Sequence, residues 1–284
     1  MCFRKTHPPA RRTMAFPQLI LRVQKGRMKL FNLIAALGLA ATLGACATSH
    51  VPTDAARAFA AESSKLGAFT ELTQRYRDTY KREKPYLSPS AEAGERELDA
   101  QRRASYDDFV NIEKSLALYM QTLGKLAGEE RYDLSDSVKK MSTDIKAWPG
   151  SGLNESHVAA YSTVTQLITR MAGAHYQDKA VRTMVVEGDA AVHSLIDAMI
   201  ALLRLYDKSN DNEKKIVLGM FEVEIPFATA LRDRLLSALA KDHFQSKATE
   251  YGLVERRYAL TEKNLAAMAQ EHGQLLARMA PAAP

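Results

Sequence analysis

Four polar side chains interrupt an apolar heptad pattern between residues 155 and 207. Apolar residues recur there every seven positions in two companion rows, as along the seam of packed helices. The polar members of the rows are His175, Asp178, Arg182 and Asp189. Charges in such a seam need partners on facing helices. One interpretation is a mid-bundle pocket in which Arg182 binds an anionic ligand group. The interpretation we favour is a paired polar layer that fixes helix register, or a kink at Gly188 that turns these residues to solvent.

The histidines that follow residue 46 do not form a recognisable metal motif. The sequence contains no Glu-x-x-His pair of the kind found in di-iron bundles, and no His-Glu-x-x-His zinc motif. His193 and Asp197 are four residues apart and would share one face of a helix, but a surface hydrogen bond explains that spacing more simply. The sequence therefore predicts no metal site and no cofactor.

Nucleophilic catalysis has no more support than metal binding. There is no Gly-x-Ser-x-Gly motif, and the only cysteines are Cys2 and Cys46. No glycine-rich phosphate loop follows a strand, because the chain shows no convincing strand alternation. We therefore expect a protein that is not an enzyme.

A basic stretch with interleaved tyrosines is the second polar feature. It contains Arg75, Tyr76, Arg77, Tyr80, Lys81, Arg82 and Tyr86, with Arg102 and Arg103 further along. Such a surface would suit an anionic polymer or lipid headgroup. We favour an ion-paired face instead, because acidic residues are interspersed: Glu71, Asp78, Glu83, Glu97 and Asp99.

A short apolar run near the N-terminus has the features of a signal peptide. Lys29 precedes the run Leu30–Leu43, which is shorter than the roughly 20 residues that a spanning helix requires. The next residues complete the sequence Leu43-Gly44-Ala45-Cys46, which resembles the lipobox of bacterial lipoproteins. The resemblance covers Met28 to Cys46 only, and residues 47–284 match no family that we recognise.

The resemblance implies a specific processing route. A lipobox cysteine receives a diacylglyceryl group, the chain is cut before it, and the new amino group is usually acylated as well. Two or three acyl chains are enough for stable anchoring. In Gram-negative lipoproteins an aspartate after the cysteine retains the protein at the inner membrane, so Ala47 implies the outer membrane, facing the periplasm.

The positive charge of the chain belongs to the leader. Residues 1–45 contain eight of the 39 basic residues and no acidic ones, which leaves 31 basic against 33 acidic residues, a formal charge of −2. The pI near 9.2 is therefore no evidence for binding to nucleic acid.

The apolar spacing after residue 52 predicts an all-α protein. We expect an elongated up-and-down bundle of five or six helices with coiled-coil-like packing. The first helix should begin with capping by Thr53 or Asp54 and stop near Lys84, a turn should form at residues 209–212, and Pro226 should bend or end a helix. The second helix should share one apolar stripe: Leu98, Tyr106, Phe109, Ile112, Leu116, Tyr119, Leu123 and Leu126. A shorter helix should lie near residues 134–148, and the apolar residues of the last helix, around 253–279, should be Leu260, Met268, Leu275 and Met279.

The sequence predicts five segments. Residues 1–27 are an upstream extension, because we expect translation to start at Met28, and residues 28–45 are the signal peptide. Residues 46–52 form a lipidated tether, residues 53–280 form the bundle, and residues 281–284 form a disordered tail.

Together these features predict a membrane-anchored envelope lipoprotein whose non-enzymatic helical domain supports or binds another envelope protein. The alternative is a helical module that binds a small molecule or anion in a pocket near Arg182.

Overall fold

The computed structural model describes residues 52–128, 135–139, 141, 144–172 and 177–279, which form an all-α helical bundle, as predicted. Residues 1–51, which include Cys46, the proposed signal peptide and all of the tether except Pro52, and residues 280–284 lie outside the described residues. The helices are α1 (Thr53–Ala61), α2 (Gly67–Arg77), α3 (Thr79–Glu83), α4 (Pro89–Leu126), α5 (Ser135–Lys139), α6 (Glu155–Met171), α7 (Gln177–Glu224) and α8 (Arg234–Met279).

Helix starts follow local capping chemistry in two places. The Ser88 hydroxyl accepts a hydrogen bond from the Ala91 amide at the start of α4, and Pro89 occupies the first helical position. Asn154 forms a capping box with His157 at the start of α6. The turn before α6 places Gly150 and Gly152 at positive φ, 78° and 86°, a conformation that favours glycine.

The core lies between the long helices. α7 packs against α8 and α6, and α4 packs against α1, α7 and α6. The predicted inward stripe of α4 is buried from Phe109 to Leu126, whereas Leu98, which we placed on the same stripe, is exposed. No disulfide joins the described helices. Burial of these apolar side chains therefore supplies the main part of the stabilising free energy.

The first predicted helix is interrupted. A 3-10 segment, Glu62–Leu66, separates α1 from α2, and Asp78 separates α2 from α3. The predicted side-chain cap is also wrong, since Pro52 occupies the capping position and no side chain caps α1. The shorter helix that we expected near residues 134–148 is helical only in α5 among the described residues.

The predicted turn at residues 209–212 is wrong, because α7 continues through it as one helix of 48 residues. Asn210 is buried there and accepts hydrogen bonds from Arg75, so tertiary contacts override the turn propensity of the sequence. The helix also continues through Gly188, contrary to the expected kink. It ends at Glu224, just before Pro226, as predicted.

The inward face of α8 agrees with the expected one at three of its four residues. Met268, Leu275 and Met279 are buried, whereas Leu260 is exposed. The other buried positions are Tyr251, Tyr258, Thr261, Leu265 and His272. Within the described residues, no helix combines the length and apolar character that crossing a bilayer would require.

Candidate functional site

The structure places only part of the predicted polar layer. His175 lies outside the described residues, and of Asp178 only the helical backbone is described. Arg182 lies half-buried on α7, and the predicted anion pocket beside it stays a prediction. Asp189, one turn after Val185, is the residue that joins a wider polar network.

Asp189 pairs with a histidine from the facing helix. The Asp189 Oδ1 atom lies 3.0 Å from Nδ1 of His272, whose side chain is 0% exposed on α8. The other ring nitrogen of His272, Nε2, lies 2.8 Å from the Tyr119 hydroxyl on α4. Burial lowers the pKa of His272, and the hydrogen bond and charge of Asp189 oppose that effect. Three helices thus meet around one buried imidazole.

A second imidazole adjoins the same carboxylate. His193 follows Asp189 by one helical turn, and its Nδ1 lies 3.3 Å from Asp189 Oδ1 and 2.9 Å from the Asp189 carbonyl oxygen. Its Nε2 lies 3.0 Å from the carbonyl oxygen of Ala269 on α8. We call Asp189, His193, His272 and Tyr119 the Asp189 network.

The Tyr119 hydroxyl is held inside the bundle. It donates to the Met184 carbonyl oxygen at 3.1 Å, and burial raises the pKa of Tyr119. Gly188 makes this position possible, because a Cβ atom there would lie 3.0 Å from Tyr119 Cε2 and 3.1 Å from Leu167 Cδ2. A substrate has no access to a hydroxyl so buried, so the Asp-His-Tyr series does not act as a nucleophilic triad.

Sequence reasoning found Asp189 but not its partners. It grouped His193 with Asp197, which is exposed in the structure, and gave His272 no role. The spacing of Asp189 and His193 at i and i+4 was a readable signal. The contact of His272 with Asp189 could not be predicted from the sequence, because His272 lies 83 residues away and approaches Asp189 only through the packing of α7 on α8.

The basic stretch forms ion pairs around a buried glutamate. Arg82 binds both carboxylate oxygens of Glu213, at 2.8 Å and 2.6 Å, and the Tyr251 hydroxyl donates to the same carboxylate at 3.0 Å. Arg75 bridges Asn210 and Glu250 beside them. The tyrosines of the basic stretch pack in different places. Tyr76 packs on the main core, and Tyr86 packs on a smaller cluster with Val217, Leu218 and Tyr251.

Beyond that smaller cluster, the turn between α7 and α8 exposes large apolar side chains. We call residues 220–242 the hairpin end. Its exposed apolar residues include Phe227, 79% exposed, and Leu231, 86% exposed. The others are Met220, Val223, Leu235, Leu236 and Leu239.

Comparison of the chain with protein-family profiles, with curated proteins and with solved structures finds no significant match.

Proposed function

We propose that the chain is a lipid-anchored envelope protein whose helical domain binds a protein partner through the hairpin end. The observation that carries the proposal is the group of seven exposed apolar side chains between Met220 and Leu239. Monomeric soluble proteins rarely expose large apolar patches, and such patches mark interaction sites.

The charge of the hairpin end favours a protein over an anionic lipid surface. Between residues 220 and 242 there are three basic side chains, Arg232, Arg234 and Lys241, against four acidic ones, Glu222, Glu224, Asp233 and Asp242. Helices that bind at membrane surfaces are instead rich in lysine and arginine on their polar face. An apolar patch with balanced charges around it resembles a protein interface.

The short chain between Cys46 and the bundle also favours a protein partner over a lipid surface at the hairpin end. α1 packs against the C-terminal part of α8, where the Phe59 and His272 ring centroids are 5.3 Å apart. From His272 back to Leu235, the helix is roughly 55 Å long at 1.5 Å per residue. The seven Cα–Cα steps from Cys46 to Thr53 span at most about 25 Å. An anchor at Cys46 would therefore hold α1 within reach of the bilayer surface, while the hairpin end lies farther along α8 than the length of that tether.

The lipid anchor has its own test in the full-length protein. Wild type should fractionate with membranes and carry acyl mass on the N-terminal peptide that begins at Cys46. Cys46→Ser should be released and unacylated. Membrane retention of the variant, together with no acyl mass in wild type, would contradict the anchored part of the proposal.

The partner surface is tested with a photo-crosslinking amino acid at residue 231 of the full-length protein in cells. We expect one heteromeric adduct, which Leu235→Glu should abolish. The matched control carries the crosslinker at residue 98, where an exposed leucine lies on α4. No adduct, an adduct with lipid, an adduct of twice the chain mass, or equal labelling from residue 98 would each overturn the proposal of a protein partner at the hairpin end.

A further inference from the structure

We propose that Asp189, His193 and His272 bind a divalent transition-metal ion. One ligand atom from each residue lies within 4.8 Å of the other two. The Asp189 Oδ1 atom is 3.0 Å from His272 Nδ1 and 3.3 Å from His193 Nδ1. Two ligands that are each about 2.1 Å from a metal ion lie about 3.0 Å apart at a right angle and about 3.4 Å apart at a tetrahedral angle. Both measured separations match edges of a coordination shell.

One tautomer of His272 leaves the Nδ1 lone pair free to bind a metal in place of the hydrogen bond to Asp189. If Nε2 carries the ring proton, it donates to the Tyr119 oxygen at 2.8 Å, and the Tyr119 hydroxyl then donates to Met184 O at 3.1 Å. Every proton in this series has one acceptor. The Nδ1 lone pair then points toward Asp189, in the manner of metal-binding histidines whose second nitrogen donates to a supporting group.

His193 leads to the same arrangement independently. Both of its ring nitrogens face oxygen atoms, because Nε2 lies 3.0 Å from Ala269 O and Nδ1 lies close to two oxygens of Asp189. A neutral imidazole has one N–H. If Nε2 donates to Ala269 O, the Nδ1 lone pair faces oxygen lone pairs, and a cation between them relieves that repulsion. The competing occupant is a second proton on His193.

The ligand set selects the class of ion. Two imidazoles and one carboxylate suit zinc and its first-row neighbours, whereas calcium and magnesium take oxygen ligands. The side chains of Asp189 and His193 are 26% and 35% exposed, so the ion has a route from solvent and its remaining positions are open to water. His272 closes the buried side of the site.

The test is metal binding by the full-length chain after chelation and removal of the chelator. Zinc affinity is measured by competition with a chromophoric chelator, and cobalt is added as a spectroscopic probe. We expect one zinc equivalent to bind the network. Loss of affinity in Tyr119→Phe should be about tenfold to a hundredfold, as for other supporting residues, and larger still in Asp189→Asn and His193→Ala. The cobalt visible bands should change in all three variants.

His243→Ala is the matched control, since this histidine lies on the exposed part of α8 and contacts Tyr86 instead. It should bind zinc and cobalt as wild type does. Circular dichroism without metal establishes that each variant is folded, and none of the tested variants removes the buried His272. Unchanged zinc affinity in folded Asp189→Asn or His193→Ala would overturn the site. So would wild type that binds no zinc equivalent at the network.

Discussion

Glu83 is a buried carboxyl group at the end of α3. Burial raises its pKa to about 8, and repulsion by Glu95 and Glu213 adds to the effect. Glu95 in turn pairs with Arg102. A glutamate in the unfolded chain titrates near 4.5, so between these values the folded protein binds more protons than the unfolded one.

We therefore expect the free energy of unfolding to fall as the pH rises from 4.5 toward 8. Glu83 contributes full stability below its unfolded pKa, and that contribution is gone above its folded pKa. The slope approaches about −1.4 kcal/mol per pH unit in that window. Glu83→Gln should remove this slope, which chemical denaturation at pH 5 to 9 measures. Glu97→Gln, at an exposed position of α4, is the control and should keep the wild-type slope. A slope unchanged by Glu83→Gln would contradict the assignment.

Glu213 is a buried carboxylate held by ion pairs with two arginines, Arg82 and Arg75. Its side chain is almost fully buried, and Arg82 provides two of its hydrogen bonds. Removing one partner from a buried pair typically costs about 3–5 kcal/mol, whereas replacing both with apolar groups costs far less.

Arg82→Met should therefore lower the free energy of unfolding by about 3 kcal/mol or more, and the double variant Arg82→Met/Glu213→Met should recover most of that loss. Denaturant titration measures both. Arg96→Ala breaks the pair that Arg96 makes with Glu92 and should change stability by less than about 1 kcal/mol. A double variant less stable than Arg82→Met would show that the pair is net stabilising.

At the scale of the helix, Gly188 is where α7 packs against Tyr119 of α4 and Leu167 of α6. Alanine is the better helix former by about 1 kcal/mol, yet its Cβ would lie 3.0–3.2 Å from Tyr119 and Leu167. Crowding of a packed core costs about 1–3 kcal/mol. Tyr119, whose hydroxyl lies 2.8 Å from Nε2 of His272, would also have to shift.

Gly188→Ala should accordingly lower the free energy of unfolding by about 1 kcal/mol or more. Gly219→Ala, on the same helix with no atom within 4 Å of the added Cβ, should be neutral or stabilising. Thermal and denaturant unfolding of the two variants measures the difference. Equal stabilisation by both substitutions would mean that Tyr119 moves aside freely.

Sequence spacing identified elements better than it identified their contacts. The apolar period of α4 predicted its buried stripe from Phe109 onward. The large apolar residues of that stripe lie on one face of the helix, and no second apolar face competes with it for burial. In α8 the same reasoning placed Met268, Leu275 and Met279 correctly and Leu260 wrongly, and it missed the tyrosines, Thr261 and His272 that also face the core. The interruption of the chain at 209–212 was predicted from local turn chemistry, but long-range partners such as Arg75 keep that segment helical.

The same limit applies to the Asp189 network. The Asp189–His193 spacing is local, so it can be inferred from the sequence. The approach of His272 and Tyr119 cannot be inferred, because it depends on the packing of α8 and α4 on α7. The exposure of the apolar residues at the hairpin end could not be predicted from the sequence either, because it depends on where the neighbouring helices end.

At the scale of the whole described domain, burial is uneven along the α7–α8 pair. Toward the Asp189 network the facing residues are fully buried, including Leu195, Met199 and Leu265. Beyond Tyr251 the pair has only the smaller apolar cluster, and no residue from 219 to 250 is buried. Segments with few buried contacts open at a lower free energy than the core does.

We expect hydrogen exchange of the purified full-length protein to divide α8 into two parts. Amides of residues 234–248 should exchange by local opening, at least about a hundredfold faster than those of residues 258–275, which need opening of the core. Mass spectrometry of deuterium uptake measures the ratio. Addition of the partner protein that the crosslinking at residue 231 identifies should slow exchange in residues 234–248 only. Binding at the hairpin end stabilises the closed form of that segment. Uniform protection along α8 in the protein by itself would show that the hairpin end is already covered, and a second copy of the chain would then replace a different protein as its occupant.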